Sequence, residues 1–157
     1  MKINGRKLSN NNLEYAVIPR NDGNQIFTFK PILDSEVFNT LCPMPKPGFI
    51  SDEKGQRENT EDPGYQKKFL DYLEKRQQWM FLESISATPG LEWEQVKLDD
   101  PETWGLYSKE LTESGITDLE FRLLREAFEK VNCLNEAHLE EARESFLATL
   151  RQKEVPQ

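Results

Sequence analysis

Between Thr117 and Leu150 the apolar positions fall at helical spacing in two consecutive runs. Phe121, Leu124, Phe128 and Val131 follow one another at intervals of 3, 4 and 3 residues, which places them on one face of a helix. Leu139, Ala142, Phe146, Leu147 and Leu150 mark a second face of the same kind. Charged residues take the opposite sides, with Arg122–Glu126 and Glu126–Lys130 as i,i+4 pairs. Thr117-Asp-Leu-Glu120 has the form of a capping box, in which the hydroxyl accepts from the Glu120 amide while the Glu120 side chain reaches back. Asn135 suits the cap of the second helix, after a tight break at Asn132–Asn135. Two helices joined by so few residues are expected to be neighbours, as a hairpin or a more open corner.

Upstream the pattern changes. Leu13–Ile18 and Gln25–Lys30 are rich in strand formers, and Asp22-Gly23 between them is a hairpin-turn signal. Ile26, Phe27 and Phe29 are the expected packing contacts of that hairpin. Asp34 is placed to cap a short helix over Ser35–Leu41, with Val37, Phe38 and Leu41 on one side. Cys42-Pro-Met-Pro-Lys-Pro-Gly48 carries proline at every second position and predicts an extended path. Phe49–Asp62 is polar and glycine-punctuated, and reads as a mobile loop. Asp62-Pro63 then opens a helix expected to run to Ala87. Tyr65, Phe69, Tyr72 and Leu73 mark its face, and Trp79-Met80-Phe81-Leu82 is apolar all round, which implies burial on several sides. Leu91–Leu98 follows strand alternation only loosely. Asp100-Pro101 repeats the cap-plus-proline start for a helix to Ser114, with Trp104, Tyr107 and Leu111 on one face and Gly115 as its stop. The expected architecture is α+β, mainly α: an N-terminal β-hairpin and short helix (1–42), a proline-rich linker (43–62), a bundle of about four helices (63–150) and a polar tail (151–157).

Charge sharpens this picture. The 157 residues carry 28 Asp and Glu against 20 Lys and Arg. The excess is uneven: residues 1–60 sum to +1 and the remainder to −9. An acidic second half lacks the clustered Lys and Arg that a phosphate backbone requires. The helix after Asn135 would present Glu136, Glu140 and Glu141 to phosphates, so a helix-turn-helix reader of DNA is excluded on electrostatics. No apolar run approaches the length of a membrane span, and the N-terminus lacks an apolar signal core. The chain is expected to be soluble and intracellular, with no nucleic-acid or membrane partner.

The catalytic inventory is short. Cys42 and Cys133 lie far apart with no CxxC partner, and with His138 they make no recognisable zinc site; they are expected to be free buried thiols. His138 has no motif pairing it with a nucleophile, and there is no GxSxG, Walker loop or GxGxxG. The expectation is a non-enzymatic protein without cofactor or metal. The remaining signal is aromatic. Most of these rings are expected in a core, yet Trp and Tyr are also favoured interface anchors. On that ground Trp79, Phe81, Trp93, Trp104 and Tyr107 are the candidate partner-binding residues.

Four segments carry a family resemblance: Leu41-Cys-Pro-Met-Pro-Lys-Pro-Gly48, Ala87-Thr-Pro-Gly-Leu-Glu-Trp93, Asp100-Pro-Glu-Thr-Trp104 and Leu134-Asn-Glu-Ala-His-Leu-Glu-Glu-Ala-Arg-Glu-Ser-Phe-Leu147. Together the chain over roughly residues 3–147 resembles the tail assembly chaperones of tailed bacteriophages. The resemblance implies a protein of the host bacterial cytoplasm that binds the tape measure protein and the tail tube protein, and is absent from the mature virion. It also implies a shorter product of a frameshifted pair, and the polar tail Arg151–Gln157 is compatible with such an extension. Self-association is a further expected contact. The rival expectations are a structural tail or connector component, and an acidic adaptor or inhibitor of a basic host protein.

Overall fold

Turn chemistry makes three separate two-stranded hairpins in the first third of the chain. The structure, a computed structural model, describes residues 1–154. The first hairpin joins β1 (Lys2–Ile3) to β2 (Arg6–Lys7) through Asn4 and Gly5, both at positive φ, the conformation a two-residue turn demands. The second is the hairpin expected from Asp22-Gly23: β3 (Glu14–Ile18) pairs antiparallel with β4 (Gln25–Phe29), Glu14 facing Phe29 and Ile18 facing Gln25. Ala16, Ile18 and Phe29 are buried, whereas Ile26 is exposed, because it shares the outer face with Val17, its partner across the ladder. After the short helix α1 (Glu36–Leu41), the third hairpin corrects the mobile-loop reading of Phe49–Asp62. There β5 (Phe49–Asp52) pairs with β6 (Gly55–Glu58). Its turn is set by Asp52, whose Oδ1 accepts from the Lys54 amide at 2.8 Å. Every β6 residue is exposed, so no apolar alternation announces the strand.

Caps decide where the helices begin. Asp62 Oδ2 accepts from the Tyr65 amide at 2.9 Å, and α2 runs Pro63–Ile85. The Asp100 carboxylate accepts from the Glu102 amide. The helix expected over Pro101–Ser114 proves to be two segments, a 3₁₀ stretch Pro101–Leu106 followed by α3 (Tyr107–Glu113). Gly115, at φ +90°, ends it in the left-handed closure glycine favours. The capping box is complete at the head of α4 (Asp118–Val131), with the Glu120 amide 3.2 Å from Thr117 Oγ1 and the Thr117 amide 3.1 Å from Glu120 Oε1. Asn135 caps α5 (Glu136–Glu154), taking the His138 amide at 3.3 Å. The helix thus continues beyond Leu150 into the expected polar tail, whose last three residues lie outside the described ones. The architecture is mainly helical α+β.

The compact units do not follow the sequential division at 42 and 62. One unit comprises Met1–Pro31, Ser84–Pro89 and the described part of Thr117–Gln157, and the other Ile32–Glu83 with Gly90–Ile116. In the first unit α4 packs across β3 and β4, and Leu124, Ala127 and Val131 are its buried positions. Hydrogen bonds draw the short Ser84–Pro89 segment into this unit. Thr88 Oγ1 accepts from the Thr28 amide at 2.9 Å and donates to its carbonyl at 3.1 Å, and Ser84 Oγ donates to the Lys30 carbonyl at 2.7 Å.

The second unit has an aromatic core. Phe38, Trp79, Leu82, Val96 and Trp104 are buried together, with Tyr72, Trp93 and Tyr107 packed against them. Phe38 is its hub, with ring centroids 5.4, 5.6 and 6.1 Å from Tyr72, Trp79 and Trp104. The irregular Leu91–Leu98 segment is held by a side chain from α3 rather than by a strand. The buried Glu110 carboxylate accepts from the amides of Glu94, Gln95 and Val96 at 2.6, 3.3 and 3.0 Å, which satisfies backbone donors that no ladder serves.

Candidate interaction surface

Four of the five aromatic anchor candidates lie in one packed layer, and that layer faces inward. Trp104 is 0% exposed, Trp79 3% and Phe81 4%. Trp104 also satisfies its polar edge internally, Nε1 donating to the Leu98 carbonyl at 3.2 Å. Tyr107 is half-buried and stacks on Phe81 at 4.9 Å between centroids. The structure thus places Trp79, Phe81 and Trp104 inside the second unit, with Tyr107 half-buried against Phe81. Trp93, half-buried on the rim of the same cluster, keeps part of its surface open. The partners that close this core, Phe38 above all, stand far away in the chain.

Large apolar side chains are exposed in both units, among them Leu33, Phe49 and Leu70 in the second; those of the first unit gather on two elements. Leu13, Tyr15, Val17 and Ile26 are each between 45% and 56% exposed. Register puts Tyr15, Val17 and Ile26 on the outer face of the β3–β4 hairpin. The edge of β3 is open as well. Tyr15 lies opposite Thr28, whose amide and carbonyl turn away from β3 toward Thr88. Antiparallel alternation then turns the main-chain groups of Tyr15 outward, and those of Val17 with them. Alongside runs a groove of about 330 Å³ lined by Tyr15, Val17, Leu123, Glu126, Lys130 and His138. Its floor holds an unmet group: His138 Nδ1 is buried without a hydrogen-bond partner.

Helix α5 is the second open element. None of its side chains is buried. Leu139, Phe146 and Leu150, three positions of its apolar face, are 48%, 60% and 40% exposed. Leu139 and Ala142 border a groove of about 420 Å³ shared with Leu13, Val131 and Cys133, so even the first turns lie over open space. The stripe was legible as a stripe; its exposure was not, since periodicity names a face without naming what covers it.

The remaining chemistry is structural. Cys133 is exposed and Cys42 half-buried, which corrects the expectation of two buried thiols. Cys133 occupies the break between α4 and α5 at φ +56°, a turn at the surface. Burial pushes the Cys42 thiol up, with Lys75 pulling against it, so this thiol is a poorer nucleophile than a free one. Arg20 clamps Glu120 in a bidentate pair, Nη1 to Oε2 at 2.5 Å and Nη2 to Oε1 at 3.0 Å. That pair and the Thr117 amide hold the Glu120 carboxyl down at about 2. Among the described residues no helix is long and apolar enough to cross a membrane. The chain matches no protein-family model, no curated protein and no solved structure.

Proposed function

We propose that this protein is a non-enzymatic tail assembly chaperone, which binds the tape measure protein and the tail tube protein in the host cytoplasm and leaves before the virion is complete. The observation that supports this reading is the unburied apolar stripe of α5, Leu139–Phe146–Leu150. A binder of long helical clients needs an apolar helix face that its own fold leaves open, on a charged body that keeps it dispersed. The net charge of −8 meets the second requirement, and the resemblance of the four segments supplies the client class.

The test is co-expression with fragments of a phage tape measure protein. The chaperone reading expects soluble complexes with wild type and loss of capture with Leu139→Glu/Phe146→Glu. A tape measure fragment that stays insoluble with wild type overturns the reading. So does recovery of the protein in stoichiometric amounts from purified virions, which would make it a structural component.

A further inference from the structure

We infer that α5 is a self-association element: it pairs antiparallel with the α5 of a second copy through the Leu139–Phe146–Leu150 stripe. The pairing rests on α5 alone and uses the same stripe as the client reading, with the second copy covering it until a client takes its place; the dimer is tested without any client, so either can fail while the other stands. Its length, about 28 Å at 1.5 Å per residue, is left without a buried side chain, while the stripe runs along one side of it.

The charge layout selects the occupant. The first half of α5 carries Glu136, Glu140, Glu141 and Glu144 against Arg143. Its second half carries Arg151 and Lys153 against Glu154. The helix dipole accounts for an acid in the first turn, where Glu136 sits, but its influence fades beyond that turn. Glu140, Glu141 and Glu144 lie further in. A parallel pair would set acidic half beside acidic half. An antiparallel pair sets acidic half beside basic half at both ends, and a single isologous twofold contact provides both. With Leu139 level with Leu150 of the second copy, Ala142 meets Leu147 of the second copy. Glu136 and Glu140 then come within a turn of Arg151 of the second copy. In the same register Phe146 lies level with Arg143 of the second copy, whose aliphatic stem it meets beside Ala142 and Leu147.

Sedimentation equilibrium across the micromolar range tests the pairing. The expected result is a reversible monomer–dimer equilibrium that salt weakens, because the flanking pairs are exposed. Phe146→Glu should shift it at least tenfold toward monomer with the circular dichroism unchanged, since the side chain supports no core. Orientation is read by disulfide trapping in a Cys42→Ala/Cys133→Ser background. Glu140→Cys mixed with Arg151→Cys should cross-link, and Glu140→Cys alone should not. A monomer at every concentration overturns the inference. So does a dimer indifferent to Phe146→Glu, a Glu140→Cys chain that cross-links to itself, or a species larger than a dimer.

Discussion

The aromatic core of the second unit and two elements of the first, the outer face of the β3–β4 hairpin and α5, treat their large apolar residues in opposite ways. In the second, Phe38, Trp79, Leu82 and Trp104 close on one another until almost nothing of them reaches solvent. In the first, Tyr15, Val17, Ile26, Leu139 and Phe146 remain near half exposed or more. The same residue types thus serve two ends. Rings that find partners from several distant segments become core. Side chains on the outer face of a two-stranded hairpin, or on a helix that buries none of them, stay available. An aromatic residue in the sequence is therefore no guide to binding until its partners are known.

That contrast can be broken most severely at Trp104. Trp104→Ala should destabilise the second unit by about 3–5 kcal/mol, the range for deleting a fully buried aromatic. All three tryptophans, Trp79, Trp93 and Trp104, belong to this unit. Intrinsic fluorescence during urea unfolding therefore reports on it alone, and an unchanged midpoint would contradict the core assignment. Next in size is Glu110→Ala, which leaves the three amides of Glu94, Gln95 and Val96 without their acceptor. Unmet buried donors cost about 1–3 kcal/mol each. Water reaching the half-exposed ones should hold the total loss to about 2–4 kcal/mol. Hydrogen exchange at these three amides should rise well before global unfolding.

Legibility in the sequence followed the range of each interaction. The caps at Asp62, Thr117 and Asn135 were readable because the side chain and the amide it serves are two or three residues apart. The β3–β4 hairpin was readable from Asp22-Gly23 for the same reason. Asn4-Gly5 is an equally local signal and marks β1–β2. The β5–β6 hairpin escaped because β6 is polar and exposed throughout and leaves no apolar alternation to read. The Glu110 bonds, the Phe38 hub and the interleaving of the two units join residues far apart in the chain, and no periodicity carries that information. The α5 stripe was visible, while its openness depended on how little of the rest of the fold covers it, which periodicity does not record.

Smaller effects sharpen the description of the first unit. Thr117→Ala removes one half of the capping box and should cost about 1 kcal/mol, measured by circular dichroism. Acid should act on the other half. Glu120 titrates at about 2 in the folded protein against an ordinary 4.5, held down first by the Arg20 hydrogen bonds and then by the Thr117 amide. The unfolded chain thus takes up this proton first as pH falls. The stabilisation from Glu120 is complete above about 4.5, declines between 4.5 and 2, and is gone below. The gap in melting temperature between wild type and Glu120→Gln should therefore narrow through that window. A gap that stays constant would show that the Arg20 pair does not hold in solution.

The smallest expected effect is the most telling. Phe146→Ala deletes an aromatic ring, as Trp104→Ala does, yet it should change monomer stability by no more than about 0.5 kcal/mol, the range for surface positions. Phe146 is 60% exposed and Trp104 is not exposed at all, so burial alone separates the two outcomes. The measurement is chemical denaturation at the lowest protein concentration that gives a signal, where any association is diluted away. Repeated at high concentration, wild type should gain apparent stability by mass action while Phe146→Ala should not. A large loss in the dilute monomer would mean that α5 folds back on its own body in solution. The stripe would then be core, and the contrast would disappear for α5.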